Sequence, residues 1–272
     1  MMLNRQFSKL EAAGNDFIFL DAQSWSSPNA KQIQSWCDRV FGVGADGLVR
    51  MSLISPKESS WEFYNRDASK AEMCGNAARA AAAWLADRGV QFPHLLRTEF
   101  GEVVLDQAAG GRWSAQLDYT HRPLRQIAVQ SQGQLGQLVN TGVPHLVLMQ
   151  TQALNVSEEL RREARAHRFP KEAGPDGANV TYAWREGDVI EVMTFERGVE
   201  DFTLSCGTGM LAAAVVASGA LSGDKWPASG VKIRPRLCPT AALEVRSESF
   251  PRELILIGPA RLVFEGRFKH LD

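Results

Sequence analysis

The sequence lacks an excess of charge of either sign. Among 272 residues, 30 Lys and Arg stand against 31 Asp and Glu, which gives a formal net charge of -1. A nucleic-acid-binding protein or a protein that binds acidic membranes usually carries a marked basic excess. We therefore expect neither kind of partner.

Long apolar runs are also missing. The most apolar stretch, residues 210–217 continuing to Leu221, contains Ser218 and Gly219 and is much shorter than the roughly 20 residues of a transmembrane helix. The first residues have no apolar core typical of a secretory signal.

The four cysteines form no CxxC pair and have no His-rich neighbours, which argues against a zinc site and against a dense disulfide framework. We expect a cytoplasmic protein without a metal site.

Nucleotide and hydrolase motifs are absent as well. The sequence has no GxxxxGK[ST] loop, no GxGxxG after a predicted strand and no GxSxG elbow. With 44% apolar and 22% charged residues, the chain is nevertheless typical of a globular protein with a substantial core, in one large domain or two of ordinary size.

Short apolar and β-branched runs, bounded by Gly, Pro, Ser or Asp, are typical of strands. They cover residues 16–20, 47–54, 61–64, 102–105, 146–149, 189–195 and 254–257. Helical periodicity covers residues 30–40, 76–88, 157–167 and 208–220. Because helices are few beside so many strands, the pattern predicts an α+β fold. Residues 126–138, rich in Gln, Ser and Gly, are predicted to form a polar connection.

An internal repeat organises the chain. Cys74 and Cys206 each precede a Gly and an apolar helical segment, and they are 132 residues apart. Phe63 and Phe195 each lie 11 residues before the corresponding cysteine, and two Gly-x-Asp-Gly motifs, at 44–47 and 174–177, are offset by 130. Three matches in one order predict two similar halves with a cleft between them.

The two cysteines suggest a chemistry. Each lies at the start of a predicted helix, where first-turn N–H groups and the helix dipole favour a thiolate. Both helices are apolar on nearly all faces, which predicts that they are buried. Two opposed thiols suit inversion of a stereocentre beside a carboxylate, since one removes the α-proton and the other returns a proton to the opposite face. Backbone N–H groups at Gly75-Asn76 and Gly207-Thr208 would hold the carboxylate and the developing charge. This chemistry needs no cofactor.

Seven segments closely resemble the diaminopimelate epimerase family, and the resemblance covers nearly the whole chain. They are residues 11–17 (EAAGNDF), 63–67 (FYNRD), 72–79 (EMCGNAAR), 144–145 (PH), 177–180 (GANV), 196–198 (ERG) and 205–209 (SCGTG). The resemblance implies a cofactor-independent isomerase that interconverts LL- and meso-diaminopimelate through Cys74 and Cys206. It also implies two pseudo-symmetric domains, each an antiparallel sheet or barrel around a central helix. We place them at residues 1–122 and 123–259, with 260–272 returning to the first.

The resemblance also implies the roles of individual residues. Substrate ends would be held by Asn15, Asn65, Asn179 and Arg197, with Glu196 also in contact. The carboxylate at the reacting carbon would bind to Gly75, Asn76, Gly207 and Thr208. His145 and Glu196 would lie beside the reacting centre and help to set the protonation of the thiols. The family further implies a homodimer.

Other interpretations stay open. Val143 stands where many family members have Asn. This difference suggests the alternative hypothesis, a racemase of the same family that acts on another amino acid, such as histidine. A third hypothesis is a small-ligand-binding protein whose cleft is closed by a disulfide between Cys74 and Cys206. Single residues also have plain structural interpretations, namely Asn15 and Asn65 as turn residues, His145 as a turn histidine, Arg197 in a surface ion pair with Glu196, and Cys37 and Cys238 as structural cysteines.

Overall fold

The computed structural model describes residues 6–71 and 73–269. Glu72, which opens the first cysteine motif, and positions 270–272 of the predicted returning segment lie outside the described residues. The helices are α1 (Ala30–Cys37), α2 (Gly75–Asp87), α3 (Glu158–His167) and α4 (Gly207–Ser218). The strands are β1 (Gln6–Ala12), β2 (Asn15–Asp21), β3 (Gly47–Ser55), β4 (Glu58–Asn65), β5 (His94–Arg97), β6 (Glu102–Ala108), β7 (Arg112–Asp118), β8 (Gln126–Ser131), β9 (Gln134–Asn140), β10 (Pro144–Gln150), β11 (Asn179–Glu186), β12 (Val189–Phe195), β13 (Val231–Pro235), β14 (Leu243–Arg246), β15 (Glu253–Gly258) and β16 (Arg261–Arg267). All four predicted helices and all seven predicted strands are confirmed.

The chain divides into two compact units. One contains the described residues up to Leu117 together with those from Gly258 onward, and the other runs from Asp118 to Ile257. The strand order is β16-β1-β2-β3-β4-β5-β6-β7 in the first unit and β8-β9-β10-β11-β12-β13-β14-β15 in the second. That these units correspond to domains with the boundaries expected from the sequence stays a prediction.

Both units have the same succession of strand pairings. Along the strand order of the first unit, the pairs run antiparallel, antiparallel, parallel, antiparallel, parallel, antiparallel and antiparallel. The second unit repeats this succession from β8 to β15. The predicted α+β class with similar halves is confirmed. The family resemblance implied antiparallel sheets, and in this respect the expectation is wrong, because two of the seven strand pairs in each unit are parallel. Parallel neighbours need a crossover connection, and α1, α2, α3 and α4 each lie within one.

The central helix of each unit is buried on every side. In α2, all residues from Gly75 to Leu85 are buried, and in α4 all residues from Gly207 to Val215 are buried. The alanine run of α2 suits this position, since Ala combines high helix propensity with a small side chain. Strands β1, β2, β6 and β16 pack against α2, while β10, β11, β12 and β13 pack against α4. None of the described helices is long and apolar enough to cross a membrane.

Residues 126–138 do not form the predicted polar connection, and that prediction is wrong. They form an antiparallel hairpin of β8 and β9, whose turn places Gln132 and Gly133 at φ values of 50° and 81°. Such positive φ values at both central residues are typical of a tight hairpin turn. Because β8 is at the edge of its unit's strand order and buries only part of its length, polar side chains are tolerated there.

Candidate active site

Cys74 caps the buried helix of the first unit. Its backbone is extended, with φ of -146° and ψ of 116°, and its Sγ accepts a hydrogen bond from the backbone N–H of Ala77 at 3.4 Å. The side chain is half-buried, and the first turn of α2 contains no acidic residue. The sulfur thus lies at the positive end of the helix dipole, a position that stabilises negative charge.

Cys206 occupies the equivalent place in the second unit. It is the N-cap of α4, with φ of -126° and ψ of 114°, and its Sγ lies 3.4 Å from the hydroxyl of Thr208. It is half-buried, as Cys74 is. By contrast, Cys37 is buried in an apolar cluster, and burial raises the pKa of its thiol to about 12. The two capping cysteines are therefore suited to exchange protons, and Cys37 is not.

His145 is fully buried beside the start of α4. Its Nδ1 lies 2.9 Å from the hydroxyl of Thr181, and its Nε2 lies 2.9 Å from the hydroxyl of Thr208. Burial, with a smaller effect from the charge of Arg197, lowers the pKa of His145 to about 3. The imidazole is consequently neutral at physiological pH, so one ring nitrogen donates and the other accepts. The amide nitrogen of Asn179 lies 3.3 Å from Nε2, which makes Nε2 the acceptor.

Thr208 links this histidine to the thiol. Its hydroxyl lies within hydrogen-bonding distance of both His145 Nε2 and Cys206 Sγ. Since a hydroxyl both donates and accepts, it can donate to the imidazole while accepting from the thiol, or turn to donate to a thiolate. The arrangement accommodates either protonation state of Cys206.

Asn179, Glu196 and Arg197 lie at the ends of neighbouring strands in the second unit. The Asn179 side-chain oxygen accepts a hydrogen bond from the backbone N–H of Arg197 at 2.7 Å, and the Glu196 carboxylate accepts one from the hydroxyl of Thr203. Arg197 is exposed, and no carboxylate within residues 6–71 and 73–269 forms an ion pair with it. The surface ion pair between Glu196 and Arg197 that one interpretation expected is absent among these residues. An exposed guanidinium of this kind suits a carboxylate ligand.

In the first unit, the asparagines separate into two places. Asn76 Nδ2 donates to Asn15 Oδ1 at 2.6 Å, and Asn15 Nδ2 donates to Asp46 Oδ2 at 3.0 Å. Asn15 is thereby brought to the first turn of α2, beside Gly75 and Asn76. Asn65 instead donates to the hydroxyl of Ser69 at 3.0 Å, a contact that also suits a turn residue.

Three partners of these side chains were not predicted from the sequence. Asp46 holds Asn15 from 31 residues away, Thr181 holds His145 from 36 residues away, and Thr203 binds Glu196. Only Asp46 carried a signal, as part of the first Gly-x-Asp-Gly motif. Within the described residues, no group of three or more His, Cys, Asp or Glu side chains is arranged to hold a metal ion.

Comparison with known proteins identifies the family. The family model for diaminopimelate epimerase matches residues 7–116. A diaminopimelate epimerase from Aquifex aeolicus is 34% identical, with 96% of this chain and 97% of that protein covered. One from Chlorobaculum tepidum is 31% identical, with 94% and 98% covered. The structure of a predicted epimerase from Pseudomonas aeruginosa shares the fold, with a TM-score of 0.69 at 16% identity over 98% of this chain and 99% of that one. The chain therefore belongs to the diaminopimelate epimerase family of isomerases.

Proposed function

We propose that the protein epimerises LL-diaminopimelate to meso-diaminopimelate with Cys74 and Cys206 as its two acid/base groups. The observation that carries the proposal is the equivalence of these residues. Each is the half-buried N-cap of the buried helix of its unit, and both units have the same succession of strand pairings. Family membership supports diaminopimelate as the substrate.

The reaction is a proton transfer through two sulfurs. The thiolate of one cysteine removes the α-proton, the electron pair of the broken C–H bond is delocalised onto the adjacent carboxylate, and the thiol of the other cysteine delivers its own proton to the opposite face. The enzyme ends with the two sulfurs in exchanged protonation states, ready for the reverse direction. No redox change and no cofactor is needed.

Stabilisation of negative charge is the main physical demand of this reaction. First-turn N–H groups of α2 and α4, at Gly75, Asn76, Gly207 and Thr208, are donors that a helix does not pair internally. Directed at the reacting carboxylate, they would stabilise the charge that develops as the proton leaves. The absence of acidic residues in both first turns keeps these positions favourable for an anion.

For the distal end of the substrate, we propose the polar side chains that the family resemblance implies. Arg197 is exposed and charged, so it would bind the distal carboxylate. Asn15, Asn65, Asn179 and Glu196 would bind the distal amino and carboxylate groups, as the family resemblance implies. We further propose, on the same resemblance, that the active form is a homodimer. Because the cysteine spacing indicates no dense disulfide framework, we also propose a cytoplasmic location.

The test is α-proton exchange in deuterated buffer under reducing conditions, followed by NMR. We expect LL-diaminopimelate to lose its α-proton signal at the inverted centre and to yield the meso isomer. L-Histidine, incubated separately, tests the racemase alternative that Val143 suggests. Exchange of histidine alone would replace the proposed substrate, and exchange of neither would contradict the proposal.

A further inference from the structure

Arg79 is a buried cation in the middle of an alanine run. It lies in α2, with its side chain fully buried, and its Nη2 donates to Asn76 Oδ1 at 2.8 Å while its Nη1 donates to the backbone oxygen of Gly75 at 3.4 Å. Its Nε has no hydrogen-bond partner, and no carboxylate within the described part of the chain pairs with it. Burying a charge without a counter-charge costs free energy, so we expect the charge of this guanidinium to have a function.

The side chain points back toward the start of its helix, as helical side chains do. Both of its hydrogen-bond acceptors belong to the two residues that directly follow Cys74. Burial lowers the pKa of Arg79 to about 10, while the charges of Cys74 and Glu11 act in the opposite direction. Arg79 therefore stays protonated at neutral pH, next to the first turn that Cys74 caps.

Carboxylates on the strands that pack against α2 are engaged elsewhere. Glu11 on β1 accepts from the backbone N–H of Gly14 and from Arg261. The others are held as follows: Asp16 on β2 by Lys9 and Arg39, Asp21 on β2 by the backbone N–H of Gln23, Glu102 on β6 by Arg97, Asp106 on β6 by the backbone N–H of Gln107, and Glu265 on β16 by Arg88 and Ser8. Among the basic groups on β1 and β16, Lys9 is bound to Asp16 and Arg261 is bound to Glu11, while Arg267 is exposed. Within residues 6–71 and 73–269, no carboxylate therefore neutralises Arg79 directly.

Arg79 also begins a directed chain of hydrogen bonds. It donates to Asn76, Asn76 donates to Asn15, and Asn15 donates to Asp46. A guanidinium can only donate and an ionised carboxylate can only accept. With a donor at one end and an acceptor at the other, the oxygen and nitrogen atoms of both amides have one satisfactory orientation.

We infer that Arg79 is a positioning residue for Cys74: its buried positive charge stabilises the Cys74 thiolate, and its hydrogen bond fixes the direction of the Asn76 and Asn15 amides. The inference rests on the proposed role of Cys74 as an acid/base group. Arg79 acts through its neighbours and makes no substrate contact of its own.

The test is the pH dependence of alkylation of Cys74 by iodoacetamide in the reduced protein, with each cysteine followed separately by peptide mass spectrometry. Wild type is compared with R79M, which removes the charge, and R79K, which keeps it. R88M is the matched control, because Arg88 is the C-cap of the same helix and lies over the ring of Trp84, at the end opposite to Cys74. Circular dichroism verifies the fold of each variant, and R79Q replaces R79M if the latter does not fold.

We expect the titration midpoint of Cys74 in wild type to lie below about 8.5, the ordinary value for a cysteine. R79M should raise the midpoint by about one pH unit or more, which lowers the alkylation rate at pH 7 by about tenfold. R79K should stay within about threefold of wild type, and R88M should be unchanged. A midpoint in wild type at or above the ordinary value, identical profiles for wild type and R79M, or an R79K as impaired as R79M would each overturn the inference. If wild type does not epimerise diaminopimelate, the proposed function fails, and the alkylation profile still decides the role of Arg79.

Discussion

The imidazole of His145 is bound to the hydroxyl of Thr208, with Nε2 and Oγ1 2.9 Å apart. The same hydroxyl lies 3.4 Å from the sulfur of Cys206. A neutral, fully buried histidine is thereby connected to a half-buried thiol through one rotatable hydroxyl group. The connection allows the environment of the sulfur to adapt to its protonation state without a buried positive charge on the histidine.

Replacing Thr208 with Val should therefore impair turnover more than folding. The substitution keeps the shape but removes both hydrogen bonds, so we expect kcat to fall by about 10 to 100-fold, the scale of a misplaced catalytic group. Because His145 Nε2 keeps the amide of Asn179 as a donor, loss of the hydroxyl partner should cost only about 0.5–1.5 kcal/mol of the free energy of unfolding. T208S, which retains the hydroxyl, is the matched variant. Equal loss of activity in T208S and T208V would contradict the role of the hydroxyl.

The buried state of His145 predicts a pH-dependent stability. Burial lowers its folded pKa to about 3, below its unfolded value of about 6.5. Between these values the unfolded chain binds more protons, so the free energy of unfolding should fall as pH falls below about 6.5, by at most about 1.4 kcal/mol per unit from this group. Above that pH its contribution is fully present.

His94 and His167 also have pKa values lowered by burial, so the informative quantity is a difference. Urea unfolding of wild type and H145Q at pH 7.5 and pH 4.5 should show a smaller loss of stability in H145Q. Parallel losses in the two proteins would show that His145 does not titrate as the structure requires.

Gly209 allows α4 to approach His145 closely. A Cβ at this position would lie 2.5 Å from Thr194 Oγ1 and 3.2 Å from His145 Cε1. G209A should therefore displace the imidazole, reduce kcat by at least about tenfold, and destabilise the protein by about 1–3 kcal/mol. S218A, at the far end of the same helix, serves as the control for activity. Wild-type activity in G209A would show that the position of the imidazole is unimportant.

Replacement of Arg197 should weaken substrate binding without changing the stability of the fold. Because it is exposed and no carboxylate in the described part of the chain pairs with it, R197Q should change the free energy of unfolding by no more than about 0.5 kcal/mol. The KM for diaminopimelate should rise by about 10 to 100-fold, the equivalent of one lost charge-assisted hydrogen-bond contact. R185Q, on an exposed strand end, should leave KM unchanged. An unaltered KM in R197Q would remove Arg197 from the binding site.

The sequence predicted what is encoded locally. Cys74 and Cys206 were found because each combines a Gly neighbour with an apolar helical segment, and both do cap buried helices. Fold class followed from short strands and few helices. What escaped prediction depends on residues distant in sequence, such as the contact of Asn15 with Asp46 or that of His145 with Thr181.

Two further features escaped prediction for different physical reasons. The hairpin of β8 and β9 was missed because an edge position tolerates glutamines that a buried strand would not, so its pattern was typical of a connection. Arg79 was visible only as one cation among alanines. Neither its burial nor its lack of a carboxylate partner among the described residues could be predicted from that pattern.

The central claim is that inversion requires both sulfurs. The most direct test is incubation of LL-diaminopimelate with wild type, C74S and C206S in deuterated buffer under reducing conditions, with C238S as the matched control and circular dichroism to verify the fold. The account predicts that wild type and C238S produce deuterated meso-diaminopimelate, whereas C74S and C206S, although folded, produce none at a detectable rate. Inversion at the wild-type rate in either C74S or C206S would contradict the two-thiol mechanism.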